Sequence, residues 1–355
     1  MSSGKWWPIL VALGCAGTPL PRGSVEEAPA PGGASLCEPP SAPVPIARAP
    51  SSRLDSERIG AAFGAFGYSP PEGTHLLVGR EIDGEPGVFE WFSLGDSGLA
   101  PSQGRYWPAS TVKVMTAVAA LESLGKHGLN GSTRVSFVDE DGAYDGTVMS
   151  ILEAAVRVSD NVAYNRTVEL AGFDELNDRI LPRWGLRHTT LQRRYTRPTE
   201  VTTLRRSPQM TWSLGGRHGV IPERVGVGRH PECPADGNCT TLYELLSVLR
   251  RLVLHRELPA AERFAIADED ADALLEAMRQ SRTRLARGAE AALGPVLVYN
   301  KTGTVPRDDR LDHGMVVQLS TGRRFLVALS IRWEGTRNTD AEELTRMALL
   351  AVADD

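Results

Sequence analysis

Pro108-Ala109-Ser110-Thr111-Val112-Lys113-Val114-Met115-Thr116-Ala117-Val118-Ala119-Ala120-Leu121 separates two kinds of sequence. Strand-like segments precede it, and helical spacing dominates after it until strands return near the C-terminus. The stretch reads as a helix hydrophobic nearly all round, the pattern of a helix inside a protein. Its opening turn nevertheless carries a hydroxyl and an amine. Residues three apart share a helix face, so Ser110 and Lys113 are expected side by side at the rim of a core. Burial favours loss of the amine's proton. A neutral lysine beside a serine can make a weak hydroxyl nucleophilic, and a helix N-terminus favours the negative charge that develops on attack at a carbonyl.

Outward from this helix the pattern is mixed. A helix is expected over 54–66, then strands over 75–82 and 88–92 around the turn residues 83–87. Helical spacing marks 148–158, 162–171, 174–181, 241–254 and 270–285, with Thr241 and Glu244 forming a capping-box pattern. Strand character returns over 296–304, 314–319 and 324–331, and a closing helix starts near Thr339, with Glu342 as its capping partner. Strands at both chain ends with helices between them predict an α+β fold, an α/β sandwich. An antiparallel sheet from both ends would carry packed helices, and an all-helical subdomain would be inserted. The sheet subdomain takes 51–108 and 287–355, and the helical subdomain takes 109–286. Residues 196–238, with five prolines and several glycines, read as an irregular insertion.

Composition bounds the rest. At 355 residues, 41% hydrophobic and 23% charged with a net charge of -5, the chain is an ordinary globular one. That balance gives no footprint for a nucleic-acid partner. Lys5 and the apolar run 6–14 end at Cys15, too short to span a bilayer, and read as an export signal. Ala12-Leu13-Gly14-Cys15 resembles a bacterial lipoprotein signal, which implies a lipid on Cys15. Ordinary secretion and an uncleaved tail are the alternatives for 1–15. Residues 16–50 hold nine of the 24 prolines and read as an extended tether, leaving 51–355 for the folded domain. Cys233 and Cys239 could close a small disulfide loop in an oxidising compartment, with Cys37 unassigned. A zinc site with His230 and Cys233 is the competing reading.

Three short motifs carry the chemistry. A Ser-x-x-Lys pattern alone has no weight, since Ser2 with Lys5 and Ser123 with Lys126 repeat it. The apolar helix distinguishes Ser110. Ser159-Asp160-Asn161 follows at a helix junction and Lys301-Thr302-Gly303 lies in a strand near the C-terminus, and each tripeptide falls by chance in roughly one chain of this size in twenty.

Together these motifs resemble those of the serine β-lactamases and penicillin-binding proteins. The resemblance is nearest to class A β-lactamases and covers most of 51–355. Residues 152–165 look like class A sequence well beyond the tripeptide. The resemblance implies a β-lactamase/transpeptidase-like fold, with Ser110 as the acylated nucleophile and Lys113 as its proton acceptor. Ser159 would relay a proton to the leaving nitrogen, and Asn161 would hydrogen-bond the substrate's side-chain amide. Lys301 and Thr302 would hold its carboxylate. The N–H groups of Ser110 and Thr304 would form an oxyanion hole, and Gly303 would let substrate lie against the strand. No metal or cofactor is implied. The implied partner is a small β-lactam or a cell-wall peptide, met by an exported monomer, periplasmic or lipid-anchored in a bacterial envelope.

One position departs from the family. Class A enzymes carry a glutamate after the second motif that activates the deacylating water, and Tyr195 stands in that place. A tyrosine with its ordinary pKa near 10 is a poor base, so slow deacylation is expected unless Glu200 or Glu223 substitutes. A serine hydrolase acting on β-lactams is therefore expected, with a D-alanyl-D-alanine carboxypeptidase as the nearest alternative. A non-catalytic penicillin- or peptidoglycan-binding lipoprotein is the more distant one.

The other signals have plainer readings. Gly95-Asp96-Ser97-Gly98 copies a protease nucleophile tetrapeptide but reads as a turn. Asp139-Glu140-Asp141 and Asp268-Glu269-Asp270 read as solvated faces rather than metal sites. Arg193, Arg194, Arg205 and Arg206 read as solvating the insertion, with carboxylate binding as the alternative. Arg310 or His313 is a candidate for a further cation.

Overall fold

In the computed structural model, the residues described are 54–55, 57–95, 107–196, 203–228, 233, 237–279, 283–304, 309–332 and 340–353. The signal segment, Cys15, the tether, Cys37, Asp96–Gly98, Glu200, His230 and Thr339 lie outside them. The chain begins its sheet with β1 (Leu54–Asp55), β2 (His75–Glu81) and β3 (Phe89–Leu94). α1 (Arg58–Ala65) starts later than its periodicity predicts, because Asp55 Oδ1 accepts the N–H groups of Glu57 and Arg58, both at 2.9 Å. That carboxylate ends the strand and starts the helix.

Ser110 sits in a single 3₁₀ turn, Ala109–Val112, which leads directly into α2 (Lys113–Gly125). Every residue of α2 from Lys113 to Leu124 is buried. An amphipathic surface helix would leave one face wet, so this helix is the axis of its subdomain.

Next come the hairpin β4 (Arg134–Asp139) and β5 (Gly142–Thr147), then α3 (Val148–Arg157) and α4 (Asn161–Ala171). Asp160 caps α4 by accepting the N–H of Ala163 at 2.7 Å. A π-helical turn, Glu175–Ile180, continues into α5 (Leu181–Arg183).

The inserted helical subdomain is present, and it carries a sheet as well. The stretch read as irregular holds β6 (Arg206–Ser207), β7 (Met210–Leu214), β8 (Arg217–Ile221) and β9 (Arg224–Val225). β7 pairs with β4, giving the order β5-β4-β7-β8. The correction has a local cause: Gly215 and Gly216, both at positive φ, make the β7–β8 turn, a Gly-Gly hairpin signal obscured by the surrounding prolines.

The chain then forms α6 (Leu242–Val253), α7 (Asp268–Arg279) and α8 (Arg284–Leu293). One predicted helix over 270–285 is thus two, with Thr283 capping the second through Ala286 N at 3.3 Å. β10 (Val296–Thr304), β11 (Asp309–Gln318), β12 (Arg324–Arg332) and α9 (Asp340–Ala353) finish the chain. The main sheet has the order β1-β3-β2-β12-β11-β10, antiparallel except where β1 runs parallel to β3.

Alternation along the strands separates two cores. Leu76, Val78, Val327 and Leu329 face Ile59, Leu285 and Leu344 of α1, α8 and α9. Leu77, Leu326 and Ala328 face the other way, into the core around α2. This puts β10, the last strand of the sheet, beside the Ala109–Val112 turn.

Cys233 and Cys239 are joined in a disulfide with their Cα atoms 5.5 Å apart, which removes Cys233 from any zinc site. No group of three potential metal ligands occurs among the described residues. Closing so short a loop is worth about 2 kcal/mol, so Cys233→Ser is expected to lower the denaturant midpoint of unfolding by that equivalent. An unchanged midpoint in a paired unfolding titration would refute this.

Candidate active site

Backbone geometry brings the three motifs to one place. A Cβ on Gly303 would lie 2.9 Å from Pro108 O and 3.0 Å from Ser110 N. Only glycine allows the strand so close to the turn. Two non-glycine residues among those described have positive φ, Ala109 at 45° and Ser159 at 62°. Such conformations cost of order 1–3 kcal/mol each and persist where the surroundings over-determine them. Here they adjoin Ser110 and begin the second motif.

The Lys113 amine, with no solvent exposure, donates to Ser159 O at 2.5 Å and Asn161 Oδ1 at 2.8 Å, with Ser159 Oγ at 3.3 Å. On the far side of that hydroxyl, Lys301 Nζ donates to Ser159 Oγ at 2.9 Å and to Thr302 O at 3.0 Å. Ser159 Oγ therefore bridges two buried amines. Burial first and the positive charge of Lys301 second push the Lys113 pKa down to about 7, against a smaller opposing pull from Asp160. An amine poised there exchanges protons readily near neutral pH. Ser110 is half-buried and Thr304 is exposed, so both reach solvent. Thr302 Oγ1 is buried with no hydrogen-bond partner among the described residues.

Tyr195 meets this group from the other side. Its hydroxyl donates to Ala109 O at 2.6 Å and accepts from Asn238 Nδ2 at 2.9 Å. Its ring stacks on Tyr164 with centroids 4.2 Å apart, and Asn161 Nδ2 approaches Tyr195 O at 3.4 Å. Burial pushes the phenol pKa upward, and the hydroxyl is a donor rather than a base. Glu223 does not replace it as a base here, because its carboxylate pairs with Arg206 at 2.6 Å on an exposed surface.

Several plainer readings change. Arg194 is 2% exposed and donates to Asp141 Oδ2 at 2.5 Å and Glu169 Oε1 at 2.9 Å, so it anchors the segment before Tyr195 rather than solvating a loop. Arg193 lies over the Trp107 ring at 4.5 Å, and Arg205 over Phe173 at 4.7 Å. Only Arg206 of the four behaves as a solvated cation. Asp139 and Asp141 are likewise paired and half-buried, the former with Arg166 at 2.8 Å. Asp270 is also buried, and its carboxylate accepts the N–H of Gly131 at 3.1 Å. Arg310 and His313 lie in β11 opposite Thr304 and Lys301. Sequence reasoning missed Asn238, Tyr164 and Asn165. The last accepts Tyr195 N at 3.0 Å through Oδ1. Its place one turn after Asn161 was the only available signal.

The sequence pattern of the beta-lactamase enzyme family matches residues 101–353. No curated protein matches the chain. Among solved structures, a mutant of PBP-A described as an acyl-enzyme complex with penicillin G superposes with a TM-score of 0.56 at 18% identity, covering 83% of this chain and 96% of that one. A class A beta-lactamase from Mycobacterium abscessus gives a TM-score of 0.57 at 17% identity, with coverage of 84% and 99%. A representative of class A beta-lactamase from Bacteroides cellulosilyticus gives 0.54 at 15%, with coverage of 85% and 98%. These likenesses share one fold, and the match over 101–353 shows that the chain belongs to the beta-lactamase enzyme family.

Proposed function

We propose that this protein is a serine hydrolase that is acylated at Ser110 by β-lactams and releases the acyl group slowly. The observation that carries the reading is the Ser159 hydroxyl held between the amines of Lys113 and Lys301. Neutral Lys113 accepts the proton of Ser110 Oγ as the oxygen attacks the lactam carbonyl carbon and a C–O bond forms. The N–H groups of Ser110 and Thr304 hold the oxyanion. As the C–N bond breaks, Ser159 gives its proton to the nitrogen and takes one from Lys113. Lys301 and the unpartnered Thr302 hydroxyl hold the substrate carboxylate, while Asn161 faces its amide side chain. Addition of water to the ester then returns Ser110 and frees the acid.

The mechanism sets a pH dependence. Protonated Lys113 cannot act as the base, so the acylation rate should climb with pH through about 7 and level off above it. Lys301→Met removes a positive charge that favours the neutral amine, so the inflection should move to higher pH. Single-turnover rates across pH test both, and an unmoved inflection in the variant would remove Lys301 from the account.

A second reading rests on the Tyr195 hydroxyl being committed to Ala109 O. With no carboxylate among the described residues placed to drive water onto a β-lactam ester, whose ring nitrogen stays tethered beside it, the same acylation machinery suits a penicillin-binding carboxypeptidase acting on peptidoglycan peptides. There the released D-alanine leaves its place to the water that hydrolyses the ester. Incubation with a chromogenic cephalosporin, followed by intact mass, separates the readings. Turnover with a transient adduct supports the hydrolase, and one stable adduct with peptide turnover supports the second. Equal ligand binding by Ser110→Ala with no adduct on the native chain would refute both.

A further inference from the structure

The Ala109 carbonyl that Tyr195 grips belongs to the same peptide unit as the Ser110 N–H. That unit is planar and trans, so its N–H and C=O point in opposite directions. Whatever fixes the carbonyl also aims the amide proton. We infer that Asn238, acting through the Tyr195 hydroxyl, is a positioning residue that orients the Ala109–Ser110 peptide so that its N–H faces the oxyanion formed at Ser110. The inference rests on Ser110 being the nucleophile of the proposed reaction.

Asn238 is fully buried and all four hydrogen-bonding sites of its amide are used. Oδ1 accepts Gln192 N at 2.6 Å and Arg193 N at 2.8 Å. Nδ2 donates to Tyr164 OH at 2.8 Å and Tyr195 OH at 2.9 Å. Two backbone donors on one side leave only one orientation of the amide consistent with the network. With Nδ2 donating to its oxygen, the Tyr195 hydroxyl has its proton directed at Ala109 O, 2.6 Å away. A chain of donors polarises each successive bond, and a carbonyl that accepts such a bond has a more acidic N–H across its peptide.

The anchor at the far end is firm. Thr190 and Cys239 exchange backbone bonds at 2.9 and 3.0 Å, and Gln192 Nε2 donates to Gly237 O at 3.1 Å. The disulfide to Cys233 adds a covalent tie beside Asn238. At the near end, Ala109 holds φ at 45° without being glycine, a conformation that needs such over-determination. Tyr195 thus supports acylation from a place where a base for deacylation is expected.

The test uses the full chain with Tyr195→Phe, the near-isosteric Asn238→Asp and the double variant. Losing an oxyanion donor outright costs about 10²–10³ in rate, and misaiming one should cost about tenfold. In Asn238→Asp both backbone donors keep an acceptor, while the Tyr195 proton is drawn to the new carboxylate. Ser110 labelling is followed by a fluorescent penicillin and, separately, by a fluorophosphonate, which reports serine reactivity without β-lactam recognition. Each single variant should slow the first-order labelling step about tenfold with the non-covalent dissociation constant unchanged. The double variant should be no slower than the slower single one, because both act on one bond.

Wild-type rates in either variant, multiplying losses, or a changed dissociation constant alone would overturn the inference. Labelling by fluorophosphonate but not by penicillin would refute the β-lactam reading and leave the inference judged on the fluorophosphonate rates. If Ser110 reacts with neither probe, both fall. Far-ultraviolet circular dichroism and a thermal melt confirm that the variants compared are folded.

Discussion

Lys113→Met is expected to slow acylation of Ser110 by about 10³-fold, the middle of the range for loss of a general base. The amine is fully buried and its pKa lies about 7, so a neutral base is available in an ordinary buffer. Lys113→Arg gives the sharper result. A guanidinium keeps the charge but does not deprotonate in a protein, so an electrostatic role would survive the change and a base would not. Both variants are expected to lose acylation to a similar degree, with Ser110→Ala as the zero. Ser159 O and Asn161 Oδ1 lose a partner in the methionine variant, so thermal melts must accompany the rates. Quench-flow with intact mass gives the rates, and near-native acylation by Lys113→Arg would rule out Lys113 as the proton acceptor.

The site was legible in sequence to the extent that its groups come from short, local motifs. Ser110 and Lys113 are three apart across the turn that opens a buried helix, which puts them side by side, and Lys301 to Gly303 are consecutive on one strand, so spacing alone brings each set to one place in the fold. What joins the sets was not legible. Asn238 meets Tyr195 across 43 positions, and Arg194 meets Asp141 across 53. Local composition made Arg194 and Asp141 look solvated and left Asn238 at the end of an irregular insertion, because a charge reads as exposed until its buried partner is known. The same limit hid the second sheet. Val135 and Phe137 alternate inward on β4, but β7 arrives from beyond 200 to pair with it. The start of α1 was misplaced for a smaller reason, the cap supplied by Asp55 from inside a two-residue strand. That one largely antiparallel sheet would be built from both chain ends followed from the pattern there, because hydrophobic alternation is local and strong.

Tyr195→Glu is expected to turn a slow acyl-enzyme into a faster one, raising deacylation by about 10²-fold, the lower bound for a positioned general base. The phenol reaches Ala109 O, and a glutamate side chain from the same Cα is shorter, so its carboxylate would stop short of that carbonyl. The space released adjoins Asn238 Nδ2, which loses its Tyr195 acceptor, and Ala109 O, which loses its donor. Those two groups and the carboxylate give a water the polar partners it needs to be held there. The water would sit beside the turn that carries Ser110. Burial that raises the phenol pKa would raise a carboxyl pKa as well, so the gain should appear as pH rises above the ordinary carboxylate range. The same change removes the grip on the Ala109–Ser110 peptide and should slow acylation about tenfold. The two steps therefore move in opposite directions. Burst kinetics with a chromogenic cephalosporin resolve them as a smaller burst rate and a larger steady-state rate. Acylation and deacylation slowed together would mean that position 195 does not face the ester.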